Sequence, residues 1–159
     1  MKRWIRSAFV IAVCAGIAAA LAGCGALQPK TGDDDRSLPP RIEAEFPQIT
    51  KATVTAGLDG FTRYLSVGVI VKDAEAVDAD FIRDLFVYLR EAKEQPSVTY
   101  YSVTVHIGEV SNTPANVAQI RQELNASVGG DPIFSDFDNE GNDWWKTTDE
   151  GIQRLAQAR

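Results

Sequence analysis

Hydrophobic and polar residues alternate along residues 50–58 and again along residues 61–71, which is the period of β-strands. Asp59-Gly60 lies between the two runs and predicts a two-residue hairpin turn of type I′, because Gly tolerates the positive φ that this turn requires. In the predicted register Leu58 faces Phe61. The apolar residues of both strands then share one face of the sheet, and the polar residues share the other.

Helical periodicity appears first in residues 79–93, where apolar side chains recur at i, i+3, i+4 and i+7. Asp78 is placed to cap the start of this helix. A second helix is predicted to begin at Thr113-Pro114, because proline favours the first helical position, and to end before Gly129.

A third alternating run, short strand-like segments and a terminal helix complete the pattern, at residues 97–107, 133–137, 144–146 and 148–157. Thr147 and Glu150 have capping-box spacing at the start of the last helix. The order is therefore β-β-α-β-α, then a short β element and a terminal helix.

This order predicts an α+β fold, a two-layer sandwich in which helices cover one face of a small, mostly antiparallel sheet. A right-handed crossover through the first helix makes the third strand parallel to the second. Residues 50–159 form a single domain of this kind and resemble no family that we recognise.

The N-terminal segment differs from the rest of the chain. Lys2, Arg3 and Arg6 precede an uncharged, apolar run from Ala8 to Gly23. A basic start, an apolar stretch shorter than the roughly 20 residues that span a bilayer, and small residues at its end are the layout of a secretory signal peptide.

The run ends in Leu21-Ala22-Gly23-Cys24, which resembles the lipobox of bacterial lipoprotein signal peptides at all four positions. The resemblance implies cleavage of residues 1–23, a covalent diacylglycerol on Cys24 and acylation of the new amine, for example with palmitate. Two acyl chains anchor a protein stably, so we expect the domain on the extracytoplasmic side of the cell membrane. The alternative is an uncleaved membrane helix in which Cys24 is an ordinary apolar residue.

Residues 24–49 form the predicted tether between the anchor and the domain. The segment contains four prolines, the acidic triplet 33–35 and few large apolar residues. Such a composition buries too little surface to offset the entropy of ordering, so it predicts a disordered spacer. A helical turn or two at residues 41–46 is the structured alternative.

Charge and cysteine content narrow the class of protein. The chain of 159 residues has a net charge of −6, and the 135 residues after Cys24 hold 13 basic and 22 acidic side chains, a net charge of −9. This balance excludes a nucleic-acid-binding protein, which needs a basic surface. Because Cys14 and Cys24 both lie in the N-terminal segment, the domain has no disulfide scaffold, thiolate metal site or cysteine nucleophile.

The polar face of the predicted sheet is a candidate surface for a glycan or an envelope protein. Its members carry hydroxyl, phenol or imidazole groups, and they are Tyr64, Ser66, Tyr100, Ser102, Thr104 and His106. The alternative is that Thr and Tyr are simply good solvent-facing strand residues. The rings of Trp144 and Trp145 point to opposite sides of a strand, so one is predicted to fill the core, and the other, if exposed beside these tyrosines, suits sugar stacking. The alternative is an aromatic pair that closes the core.

His106 is the one histidine of the chain and raises the hypothesis of a small hydrolase. A catalytic histidine needs a nucleophile within hydrogen-bond reach. Ser102 is four residues away on the same predicted strand, which is roughly 13 Å. Ser66 depends on the order of the strands. The sequence contains no nucleophile motif or phosphate loop that would support an enzyme.

An acidic loop follows the short strand at residues 133–137. Asp136, Asp138 and Glu140 before Gly141 resemble the opening of an EF-hand calcium loop, and Asp143 adds a fourth carboxylate. The twelfth position of that pattern is Thr147, where an EF-hand needs a bidentate Glu. A calcium site of other geometry is one interpretation, and a polar turn is the other.

These patterns predict a membrane-anchored extracytoplasmic lipoprotein whose domain is a non-enzymatic binding or envelope-accessory module. A hydrolase that uses His106, a calcium-binding surface domain and a surface protein without a ligand are the alternatives. No cofactor is expected beyond the lipid on Cys24, and no nucleic-acid partner.

Overall fold

The computed structural model describes residues 37–92, 98–108, 112, 114–134 and 144–158. The signal segment, Cys24, the first part of the tether and the acidic loop with Asp136, Asp138, Glu140 and Asp143 lie outside these residues. The elements in chain order are α1 (Leu38–Glu45), β1 (Ile49–Asp59), β2 (Thr62–Val71), a 3₁₀ turn (Ala74–Ala76), α2 (Ala79–Ala92), β3 (Tyr100–Ile107), α3 (Val117–Val128), β4 (Trp144–Thr148) and α4 (Asp149–Gln157).

The four strands form one sheet in the order β1-β2-β3-β4. β1 and β2 are antiparallel, β2 and β3 are parallel, and β3 and β4 are antiparallel. The parallel step follows from the crossover through α2, as the sequence predicts. The predicted α+β fold is therefore confirmed, with four helices packed on the sheet.

The alternating pattern places a continuous apolar core between the sheet and the helices. Val67, Val69, Val103 and Val105 from the two central strands have no exposed surface. Trp145 of β4 is fully buried beside them, which confirms that one tryptophan of the pair fills the core. The helices contribute one stripe each, with Ile42, Ile82, Leu85, Phe86, Leu89, Leu124, Ile152 and Leu155 completely buried.

The predicted hairpin turn is displaced by one residue. Asp59 pairs with Thr62 and Leu58 pairs with Arg63, so Gly60-Phe61 forms the turn in place of Asp59-Gly60. Gly60 has a φ of 61° and takes the first central position, where turns of type II′ use Gly. The pairing moves by two residues, which leaves the same side chains on the same faces, so the alternating pattern could not distinguish the two registers.

Residues 38–45, which the sequence predicts to be part of the tether, form α1 and belong to the folded domain. Leu38, Ile42 and Phe46 recur at intervals of four residues and are buried in the core. The ring of Phe46 lies edge-on to that of Tyr88 of α2, with centroids 5.5 Å apart. The expectation of disorder up to residue 49 is wrong for these residues.

Helix ends agree with the predictions at Asp78 and at Gly129, before which α3 ends, and differ at two other sites. Oδ1 of Asp78 accepts a hydrogen bond from the N–H of Phe81 at 2.8 Å, so Asp78 caps α2 as expected. α3 begins at Val117, three residues after Pro114. α4 is capped by Thr148, whose hydroxyl accepts from the N–H of Gly151.

Thr147 is not the cap that its spacing suggested. Its side chain is buried and donates to the carbonyl of Ile133 at 2.8 Å. The predicted strand at residues 133–137 is absent at Ile133 and Phe134, which bend into the core, and its other residues lie outside the described part of the chain.

Asp149 joins three elements of the domain. Its Oδ2 lies 3.2 Å from Nε of Arg90 on α2, and its Oδ1 accepts a hydrogen bond from the hydroxyl of Tyr101 on β3. The charge at the start of α4 therefore fixes that helix to both layers. Among residues 37–158, no described helix has the length and apolar character needed to cross a membrane.

Candidate functional site

The sheet has one face without a covering helix in the part of the chain that the structure describes, and we call it the open face. Its residues alternate with those of the core and are Lys51, Thr53, Thr55, Gly57, Asp59, Thr62, Tyr64, Ser66, Gly68, Ile70, Tyr100, Ser102, Thr104, His106, Lys146 and Thr148. The six residues predicted to form a binding surface therefore lie together on one face.

Cross-strand pairing arranges the open face in rows. Tyr64 pairs with Tyr100, Ser66 with Ser102, Gly68 with Thr104, and Ile70 with His106. Each row runs from β2 to β3 and continues to β1, and the first three rows also continue to β4. The face therefore passes from an aromatic end, through a centre of small hydroxyl groups, to an end that carries the imidazole.

The tyrosines of the aromatic end cover each other. The rings of Tyr64 and Tyr100 are stacked, with centroids 5.6 Å apart and planes 14° apart. Nζ of Lys146 lies 3.9 Å from the centroid of the Tyr100 ring, a cation–π contact. Tyr64 also lies over Gly57, where a Cβ would stand 2.5 Å from Cζ of the tyrosine. Ring edges and hydroxyls, more than ring faces, are therefore what this end offers a ligand.

Tyr100 is a proton donor at neutral pH. Desolvation by its neighbours raises the pKa of its phenol above the ordinary 10.0, and the charge of Asp59 and the phenol of Tyr64 raise it further. The hydroxyl therefore stays neutral and can donate a hydrogen bond to a ligand.

Small side chains leave the centre of the open face shallow. Ser66, Ser102 and Thr104 are half-buried between their neighbours, and Gly68 adds no side chain. A Cβ at Gly68 would lie 2.8 Å from Oγ1 of Thr53, whose hydroxyl donates to the Gly68 carbonyl. A flat partner can therefore approach the backbone here and meet several hydroxyl groups.

His106 has no serine within reach among the described residues. Ser102 and its partner Ser66 lie two rows away, and the strand rise puts Ser102 roughly 13 Å from His106. Nδ1 of His106 is buried and has no hydrogen-bond partner among the described residues. The described part of the chain therefore does not bring a serine nucleophile to this imidazole or a carboxylate to its Nδ1.

A pocket of about 460 Å³ opens beside the aromatic end, at the β4 edge of the sheet. Tyr100 and Lys146 line it from the open face, and Glu150 and Arg154 of α4 line it from the other side. Arg154 is fixed there because its guanidinium donates to the carbonyls of Gly129 and Asp131. The pocket thus combines a phenol, a carboxylate and two cations.

The pocket was not found by sequence reasoning. Its residues come from three separate segments of the chain, at positions 99–100, 132–133 and 146–154, and Lys146 and Arg154 carry no motif. The predicted calcium ligands Asp136, Asp138, Glu140 and Asp143 lie outside the described residues, and within those residues no group of three or more His, Cys, Asp or Glu could hold a metal ion. Comparison of the chain with protein-family models, curated proteins and solved structures found no match in any of the three.

Proposed function

We propose that this chain is a lipid-anchored extracytoplasmic binding protein, whose domain contacts an envelope protein through the open face. One observation carries the proposal: a whole face of the sheet, with its Ser, Thr, Tyr and Gly rows, has no described helix over it, while the other face holds the core. Tyr, Ser and Gly are the residues that protein-binding surfaces favour, because they give contact area and adaptable hydrogen bonds at low entropic cost.

The tyrosine stack favours a protein partner over a glycan. Sugar recognition by stacking needs a free aromatic face, whereas Tyr64 and Tyr100 occupy each other's faces and Lys146 takes part of the rest. The shallow centre instead suits a flat polypeptide surface that accepts hydrogen bonds from hydroxyl groups.

A photo-cross-linking amino acid at Ser102 tests the binding proposal in living cells, with Gln122 on the exposed side of α3 as the matched control position. We expect a protein adduct from position 102 that disappears when Ser66→Arg blocks the neighbouring site, and no such adduct from position 122. If only glycan adducts formed, the partner of the open face would be a sugar and not a protein. If positions 102 and 122 gave identical adducts, the open face would not be the binding site.

The anchor rests on the lipobox at residues 21–24 and is tested by mass spectrometry of the mature N-terminus. We expect a chain that begins at Cys24 and carries the mass of acyl groups. Cys24→Ser should leave the membrane fraction or remain uncleaved, whereas Cys14→Ser should be processed like the natural chain because it lies in the discarded segment. An unmodified Cys24 in the natural chain would refute the lipoprotein proposal without affecting the binding face.

The hydrolase remains the second candidate function and has a simple test. Because His106 lies on the open face, His106→Ala distinguishes an enzyme from a binding protein only when the adduct at position 102 is measured beside the phenotype of a deletion strain. Loss of function in this variant, with the adduct at position 102 preserved, would favour an enzyme.

A further inference from the structure

β1 forms one edge of the described sheet and is, with 11 residues, its longest strand. The backbone N–H of Ala52 donates to Oε1 of Glu43 at 2.8 Å and therefore points away from β2. Backbone groups alternate in direction along an antiparallel ladder, so those of Val54, Ala56 and Leu58 also point outward. An edge with such outward groups is a template for pairing with another strand.

Large apolar side chains are exposed at the end of this edge. Phe61 at the tip of the hairpin is fully exposed, and Leu58 retains 46% of its surface. Among the residues whose burial the structure describes, these two are the large apolar side chains that are exposed. Exposed apolar groups beside outward backbone groups indicate a surface that another chain covers.

The charges on β1 indicate which chain that is. Lys51 and Asp59 are both exposed, lie on the open face and are each four residues from Thr55. An antiparallel pairing of β1 with β1 of a second copy, centred on Thr55, sets Lys51 of each copy opposite Asp59 of the other. Opposite charges at directly paired positions stabilise a sheet.

The same register also gives hydrogen-bond partners to the outward backbone groups of Val54 and Ala56. It sets Val54 of one copy opposite Ala56 of the other, and both have outward N–H and carbonyl groups, so each such pair exchanges two hydrogen bonds. Thr55 then falls at a non-hydrogen-bonded position on the twofold axis. Because Glu43 already holds the N–H of Ala52, the new backbone hydrogen bonds are those of the two Val54–Ala56 pairs, and the residues beyond them face each other through their side chains.

We propose that β1 pairs with β1 of a second copy of this chain about a twofold axis at Thr55, which joins the two sheets into one of eight strands. The exposed Leu58 of each copy then lies opposite Ala52 of the other. The two open faces become one continuous surface, with a tyrosine stack at each end. This pairing does not depend on which partner the open face binds.

Disulfide cross-linking of the full chain tests the register. Thr55→Cys brings two thiols together across the axis, because Cα atoms of a non-hydrogen-bonded pair lie about 4.5 Å apart, within the range of a disulfide. Thr53→Cys is the matched control, since it is on the same face and equally exposed but its symmetry mates are roughly 13 Å apart along the strands. Trypsin releases residues 52–63, so the self-linked peptide is distinguished by mass from any product of Cys14 or Cys24.

We expect Thr55→Cys to form at least ten times more self-linked peptide than Thr53→Cys. Equal yields from the two variants would overturn the register. Absence of the linked peptide from both, together with sedimentation of the natural chain as a monomer in detergent, would overturn the pairing itself.

A charge exchange tests the partner. Lys51→Glu and Asp59→Lys should each weaken the dimer roughly tenfold, because each disrupts two symmetric ion pairs. The double variant should restore the natural dissociation constant, measured by sedimentation equilibrium. Lys72→Glu, an exposed change after β2, is the control and should have no effect. Failure of the double variant to recover would contradict pairing between copies of β1.

Discussion

Gly57 shows how a single residue supports the open face. It pairs with Tyr64, whose ring occupies the space that a side chain at position 57 would need. A glycine in a strand costs entropy, and the tyrosine covers the backbone that the glycine leaves exposed, as aromatic side chains do for strand glycines elsewhere. The ring then stacks on Tyr100, so the absence of a Cβ at Gly57 helps to define the aromatic end.

Gly57→Ala should destabilise the domain by about 1–3 kcal/mol, because the new Cβ displaces the ring from its stack. In a Tyr64→Ala background the same change should be neutral or stabilising, since Ala is better than Gly in a strand. Urea unfolding of the four chains gives both numbers. Equal costs in the two backgrounds would show that the ring and the glycine are not coupled.

Tyr100 gives the open face a measurable dependence on alkaline pH. Its folded-state pKa is raised above 10.0, first by desolvation and then by Asp59 and Tyr64. The folded state therefore favours the neutral phenol, so the contribution of this group to stability is complete below the unfolded pKa and is lost as the pH rises through the folded value.

Ultraviolet titration of tyrosinate checks this shift. The titration curve of the Tyr100→Phe variant is subtracted from that of the natural chain, and the difference should show a phenol that ionises above pH 10. Asp59→Asn should lower the midpoint of this ionisation, because it removes the nearby charge. A midpoint at or below the ordinary value would contradict the environment described for Tyr100.

α1 is the element in which local composition and tertiary packing disagree most. Its prolines and flanking acids are typical of a spacer, yet Leu38, Ile42 and Phe46 form a buried stripe along one side. Pro39 and Pro40 fall in the first helical turn, where a missing N–H costs no hydrogen bond. The packing against α2 and β1, which composition does not show, supplies the energy that orders the segment.

Ile42→Ala should therefore cost about 2–5 kcal/mol in urea unfolding, as expected for a fully buried aliphatic side chain. Glu45→Ala on the exposed side of the same helix should change stability by less than about 0.5 kcal/mol. If both changes had equally negligible effects on stability, α1 would belong to the tether and not to the folded domain.

The alternating and helical periods predicted β1 to β4, α2 and α4 well, because burial on one face leaves a direct record in the sequence. The strand predicted at residues 133–137 is absent at Ile133 and Phe134. The hairpin register was wrong because two pairings preserve the same faces. The placement of Tyr64, Ser66 and Ser102 on one face followed from alternation alone. The contact of Lys146 with Tyr100 did not, because it depends on β4 lying beside β3, which no local pattern specifies.

The whole domain depends on links between its two layers, and Asp149 is the best defined of them. It joins α4 to Arg90 of α2 and to the hydroxyl of Tyr101, a residue with no exposed surface. The loss of a hydrogen bond to a buried hydroxyl costs more than the loss of a solvated ion pair. The hydrogen bond to Tyr101, more than the charge, should therefore hold the end of the chain in place.

Two substitutions separate the contribution of the hydrogen bond to Tyr101 from that of the ion pair with Arg90. Asp149→Ala removes both partners and should cost about 1–3 kcal/mol, whereas Asp149→Asn keeps an acceptor for Tyr101 and should cost less than about 1 kcal/mol. In a Tyr101→Phe background the two variants should differ little, because the hydroxyl that distinguishes them is gone. Glu150→Ala, one residue later and exposed, controls for the charge at the start of α4. If Asp149→Asn instead proved as costly as Asp149→Ala, the ion pair with Arg90 would be the link that joins the two layers.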